Sequence, residues 1–183
     1  GDTNAGWAAF RSAYPESLTC RSDQSANHFA LAAKLARIRG ELDVARELIG
    51  TAISVLRQSA NRNRLAEALI VRGFVEQVQG ERLSALRSFE AAQHVFDFEL
   101  GDLCGIVRTA SLIGVTQKSR GKWAAAEEIY ERALAIAEAD HSLNTMTATT
   151  RLRANLAVLM TRLGKLSEAS GVLDSAAESA ERL

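Results

Sequence analysis

The chain has 183 residues with 22 basic and 22 acidic side chains, so its formal net charge is zero. That balance excludes a protein whose whole surface is built for nucleic acid or anionic lipid. A hydrophobic fraction of 47%, with 32 alanines and 22 leucines against a single proline, Pro15, is globular composition that favours helix over an all-β fold.

Residues 1–21 stand apart: Trp7, Phe10 and Tyr14 predict a short helix ended at Pro15, a cap or the remnant of a preceding repeat. From residue 22 onward the chain repeats itself. Four glycines, Gly40, Gly80, Gly121 and Gly164, lie between amphipathic stretches at spacings of 40, 41 and 43 residues. Five residues after each stands an alanine (Ala45, Ala85, Ala126, Ala169), and seven further on another (Ala52, Ala92, Ala133, Ala176). Between them is a large apolar residue each time: Ile49, Phe89, Tyr130 and Leu173. Seven residues before each glycine the side chain is minimal: Ala33, Gly73, Gly114 and Ala157.

This lattice predicts a helical hairpin made four times, with each glycine a left-handed cap and the small residues admitting close backbone approach. In chain order the first helices fall at roughly 24–39, 62–79, 103–120 and 143–163, and the second helices at roughly 42–58, 82–98, 122–139 and 165–182. Asn61 and Asn63, Gly101-Asp102, and Asp140-His141-Ser142 supply stop and cap chemistry at the junctions. The repeats then span 22–60, 61–100, 101–140 and 141–183, and no single hairpin covers its own apolar face.

Apolar runs never exceed five residues, as in Phe29 to Ala33, against the roughly 18 a membrane span needs. No membrane segment is therefore expected. Cys20 and Cys104, 84 positions apart and outside any Cys/His cluster, read as reduced thiols of a cytoplasmic protein. The chain starts at Gly1 and ends inside a helical pattern at Leu183, as expected of a piece of a larger protein.

The spacing of small residue, glycine, alanine, large residue and alanine over 23–183 resembles the tetratricopeptide repeat. Its period exceeds the common value of about 34, and the proline that usually closes each repeat is missing. The resemblance is to long-repeat varieties in kinesin-light-chain-like proteins and in the sensor regions of bacterial transcriptional regulators. It implies an all-α fold, a right-handed α-solenoid of four antiparallel helix-turn-helix repeats, acting as a non-catalytic interaction module with no cofactor. In this family the first helices line the concave face.

Sorted in that way, the first-helix segments carry 12 basic and 4 acidic residues and the second-helix segments 8 basic and 16 acidic. The neutral chain is thus polarised. The family's groove positions map onto Asn27, Ala30, Lys34 and Arg37, then Glu67, Ile70, Phe74 and Gln77. In the third and fourth repeats they are Arg108, Ser111, Val115 and Lys118, then Arg151, Ala154, Asn155, Val158 and Arg162. Six cations against one carboxylate suit an acidic or phosphorylated peptide, with Phe74 and Ile70 as an apolar anchor.

A competing reading is that Arg37, Arg39, Lys118, Arg120 and Arg162 merely complement helix dipoles and pair across hairpins. A small-molecule sensor region and an RNA-binding solenoid are the functional alternatives, the latter disfavoured because Phe74 is the one aromatic in the set. His28, His94 and His141 have no partner at a recurring offset, and no Gly-Lys-Ser/Thr phosphate loop or metal-ligand spacing occurs. The last helix, with Leu166, Val172 and Leu173, leaves an open end fit for a further repeat, for a solubilising helix or for a second copy in a homodimer.

Overall fold

The computed structural model describes residues 22–138 and 143–181, and all regular structure among these residues is helical. The helices are α1 (Asp23–Arg39), α2 (Leu42–Leu56), α3 (Arg62–Val78), α4 (Arg82–His94), α5 (Leu103–Ser119), α6 (Trp123–Glu138), α7 (Leu143–Arg162) and α8 (Leu166–Glu181). All eight coincide with the expected positions to within a few residues, and the architecture is the all-α repeat of helical hairpins. Contacts divide the chain into two compact units, the first running to Val95 and the second beginning at Phe96.

Each unit holds two hairpins. In the first, α1 packs on α2 and α3 on α4, while α2 also packs on α3 and α1 touches α3. The second unit repeats the scheme with α5 on α6, α7 on α8, α6 on α7 and α5 beside α7. Within a unit the two first helices are therefore neighbours, and a second helix is shared between its own hairpin and the next.

Local chemistry explains the turns. Gly40, Gly80, Gly121 and Gly164 have φ of 80°, 81°, 75° and 79°, the left-handed region where a Cβ is penalised. In all four turns the amide after the glycine donates to the carbonyl four residues before it: Glu41 to Ala36, Glu81 to Glu76, Lys122 to Gln117 and Lys165 to Met160, at 2.9–3.0 Å. These bonds satisfy carbonyls that a helix end leaves open. At the starts, Ser22 and Ser25 form a capping box on α1, Asn61 accepts from the Arg64 amide, and Asp102 accepts from the Gly105 amide. Asn63 lies inside α3 instead of capping it. Residues 1–21 and Asp140-His141-Ser142 lie outside the described residues.

The alanine lattice is buried throughout, and the small and large positions compensate one another. Where the small residue is glycine, the large one is aromatic: a Cβ on Gly73 would meet the Phe89 ring at 2.4 Å, and one on Gly114 would meet Tyr130 at 2.1 Å. Where it is Ala33 or Ala157, the large residue is aliphatic, Ile49 or Leu173. The core of the first unit centres on Phe29, Leu48, Ile49, Leu56 and Phe89, and that of the second on Val107, Tyr130, Leu152, Leu156 and Leu159. Side chains of this size contribute roughly 1.5–3 kcal/mol each when fully buried.

One boundary departs from expectation. The helix predicted through residue 98 loses α-helical hydrogen bonding at His94 and widens into a π turn over Val95–Leu100. Phe96 is buried and Phe98 is 75% exposed. The segment closes when Phe96 accepts from the Asp102 amide at 2.9 Å, with Gly101 at φ 61°. Periodicity does not encode such a widening, because it depends on which aromatic finds a cavity: Phe96 fills the space a side chain on Gly105 would occupy.

Candidate interaction faces of the first helices

In the first unit α1 and α3 stand side by side, so residues on their shared face converge. Asn27, Ala30, Leu31 and Lys34 of α1, Leu56 of α2, and Arg64, Glu67, Ala68 and Val71 of α3 line a concavity of about 130 Å³. Arg64 is held there by donating from Nη1 to the Asp23 carbonyl at 3.0 Å. Further along, the Arg37 guanidinium lies 5.7 Å from the Phe74 ring centroid, and Phe74 meets Phe89 edge to face at 5.5 Å. Phe74 is half-buried and Gln77 likewise. Ile70 is not an anchor: it is 5% exposed, because its face of α3 turns into the core.

In the second unit, α5 and α7 carry the corresponding residues. Arg108 is half-buried with its guanidinium 5.4 Å from the Phe96 ring centroid. Ser111 is buried, and its Oγ accepts from Asn155 Nδ2 at 3.0 Å, a bond that joins the two helices. Lys118 is half-buried, while Arg151 and Arg162 are exposed.

The first-helix cations fall into two groups. Arg39 pairs with Glu41 at 2.9 Å, Arg72 bonds Ser88 and lies 3.7 Å from Glu76, Arg120 bonds Gln117, and Arg153 reaches Glu138 at 3.4 Å. These, with Arg64, are engaged within the chain, as the charge-packing reading requires. Lys34, Lys118, Arg151 and Arg162 stand outside every ion pair among the described residues, and Arg37 meets Phe74. Lys34, Lys118, Arg151 and Arg162 all belong to the groove positions.

Other contacts were not foreseen. Arg46 of α2 donates to Gln79 and, at 2.5 Å, to Glu81, and Lys165 donates to Glu127 at 2.5 Å. The carboxylates raise the pKa of both cations above their ordinary values. The signal was present in the repeat register: Arg46 and Glu127 each stand six residues after the hairpin glycine, and Glu81 and Lys165 each one after it. Arg64 in the concavity and Phe96 beneath Arg108 had no such marker beyond the mid-helix Gly105.

Among the described residues no His, Cys, Asp and Glu group is placed to hold a metal ion, and no helix is long and apolar enough to cross a membrane. Cys104 is half-buried.

The family model of the tetratricopeptide repeat matches residues 64–139. No curated protein is significantly similar in sequence. Among solved structures, BtubC (BKLC) from P. vanneervenii superposes with a TM-score of 0.83 at 19% identity, over 100% of this chain and 74% of that one. A putative kinesin light chain of Podosopora anserina with nearly identical TPR-like repeats gives 0.74 at 14% identity, over 94% and 83%. A Rap protein complexed with competence and sporulation factor gives 0.74 at 16% identity, and the chain, 87% covered, spans only 43% of its length. Residues 64–139 match the tetratricopeptide repeat, and the helical hairpins on either side of them follow the same lattice and turn geometry.

Proposed function

We propose that the chain is a non-catalytic, cytoplasmic interaction module of a bacterial regulator or scaffold, and that the first-helix faces of its units hold an acidic peptide or protein segment. The observation that carries this reading is the sorting of the cations: Lys34, Lys118, Arg151 and Arg162 at groove positions join no ion pair among the described residues, whereas Arg39, Arg64, Arg72, Arg120 and Arg153 are engaged within the chain. The concavity beside Lys34, at about 130 Å³, suits one side chain of a bound segment and is small for the 300–1,000 Å³ typical of small-molecule sites. That favours a peptide over a sensed metabolite. The lack of an aromatic row on these faces weighs against RNA. The Rap protein's complex with competence and sporulation factor shows that a related fold takes a partner.

The test is fluorescence anisotropy with Asp/Glu-rich peptides and their Gln/Ser counterparts. Reversing the exposed Lys34 and Arg151 to Glu is expected to abolish the preference for the acidic set, and raising salt to weaken it. Unchanged binding after both reversals overturns the reading.

A second surface is supported by one comparison. At the large-residue position Ile49, Phe89 and Tyr130 are 0% exposed, yet Leu173 on α8 is 49% exposed and Leu166 stands out beside it. This face suits a further hairpin or a second copy of the chain.

A further inference from the structure

We infer that the concavity between α1 and α3 is an aliphatic pocket that reads one leucine-sized side chain of a bound segment, with an acidic residue of that segment beside it. This rests on the acidic-segment reading above and names the side chain that sets the segment's register.

The two units differ at the positions that make the pocket. Ten residues before its hairpin glycine α1 has Ala30, and nine before its own α3 has Val71, side chains that cannot bond across the gap. In the second unit the same two positions hold Ser111 and Asn155, whose hydrogen bond at 3.0 Å ties α5 to α7. Twelve residues before the glycine, α3 has the small Ala68 where α7 has the fully buried Leu152. Leu56 of α2, where α6 has Ala137, closes the base, and about 130 Å³ stays open above it. At the start of both helices Arg64 holds α3 to α1 through the Asp23 carbonyl.

The lining selects the occupant. Leu56, Ala68 and Val71 are at most 3% exposed, and Leu31 beside them is 48% exposed. None of these side chains has a donor or acceptor, so a Tyr hydroxyl, a Trp N–H or an amide buried there would give up water without a replacement. An aliphatic side chain leaves nothing unpaired, and covering Leu31 removes apolar surface from water. An apolar cavity of roughly 150 Å³ takes one benzene-sized group, so the space admits a single side chain. The rim selects the neighbour of that side chain. Lys34 and Arg64 both line the concavity and join no ion pair among the described residues. The bond from Arg64 to a backbone carbonyl uses one of its five donors and cancels none of its charge. Glu67, also on the rim, has an interaction of its own within the chain. Residues of an extended segment advance about 3.3 Å each, so a carboxylate one or two positions from the buried side chain comes within reach of the Lys34 ammonium.

The experiment measures binding of degenerate nine-residue peptide libraries to the whole chain by anisotropy, with leucine, phenylalanine or serine fixed at the centre and glutamate or glutamine fixed on both sides of it. With glutamate flanks, the leucine library is expected to bind at least tenfold more tightly than the serine library and more tightly than the phenylalanine library. Ala68→Leu, which installs the side chain that α7 carries at this position, should bring the leucine library down to the level of the serine library. The double variant Ala30→Ser/Val71→Asn, which copies the Ser111 and Asn155 pair, should do the same, with thermal melting monitored to confirm folding of both. Lys34→Gln, at an exposed position, should remove the advantage of glutamate over glutamine flanks. Equal binding of the leucine and serine libraries, with glutamate flanks still preferred, overturns the pocket and spares the wider reading; no preference for glutamate in any library removes both. A leucine preference undiminished in a folded Ala68→Leu chain, or a phenylalanine library that binds as tightly as the leucine one, also overturns the proposal. So does N-acetylleucine amide binding as tightly as the peptides, which would make the concavity a small-molecule site.

Discussion

The Lys165 ammonium donates to the Glu127 carboxylate at 2.5 Å, and this pair repeats Glu81 with Arg46 at the same two repeat positions with the charges exchanged. Each tie runs from a second helix to the turn of the following hairpin within its own unit. The exchange has a consequence for assembly: hairpins stacked in the wrong order would set Arg46 against Lys165, or Glu127 against Glu81, like facing like. The second repeat has Leu86 at the first of these positions.

Reversing one partner should therefore cost more than removing it. Glu127→Lys is expected to lower the melting temperature below that of Glu127→Gln, and the double variant Glu127→Lys/Lys165→Glu to recover most of the loss. Because the pair is partly exposed, the differences should shrink in high salt. A thermal melting series across salt concentrations checks this, and a double variant no better than the single would show that the pair sets no register.

Tyr130 carries a buried hydroxyl without a hydrogen-bond partner among the described residues. Tyr130→Phe should raise stability by about 1 kcal/mol by removing that unsatisfied group. Burial also pushes its phenol above the ordinary value of 10. Above pH 10 the unfolded chain loses a proton that the folded chain keeps, so this contribution is full below pH 10 and declines as pH rises, by up to about 1.4 kcal/mol per pH unit. Lys165, raised by Glu127, acts in the same direction beyond its ordinary 10.5. Denaturant titrations at several alkaline pH values should show a shallower decline for the Phe variant.

Glycine and ring are matched at each hairpin crossing. Gly114→Ala places a methyl 2.1 Å from the Tyr130 ring and should cost about 1–3 kcal/mol. The double variant Gly114→Ala/Tyr130→Leu reproduces the Ala157 and Leu173 pairing of the fourth repeat and should recover part of that cost. Ala126→Leu, which overfills the same crossing, should fall in the same range and has no such partner. Chemical denaturation of all three variants measures the difference.

If the exposed face of α8 joins copies of the chain, Leu173→Lys should reduce any concentration-dependent association in sedimentation velocity. It should leave the melting temperature nearly unchanged, because Leu173 is half-exposed already.

The eight helices, the four turns and the buried alanine lattice were legible in the sequence because they rest on local chemistry: a glycine at positive φ, caps of Asn and Asp, and size alternation at fixed offsets. The separation of charge between first and second helices followed from the same register. Tertiary structure decided which charges remain available. Ile70 points into the core while Phe74 stays half-buried, Arg72 and Arg153 are engaged, and Lys34 and Arg151 join no ion pair among the described residues. It also turned the helix end at Val95–Leu100 into a π turn that slides Phe96 beneath Arg108. Periodicity records which face of a helix is apolar, but the partner of each side chain is set by residues of other helices, tens of positions away, that only packing brings within reach.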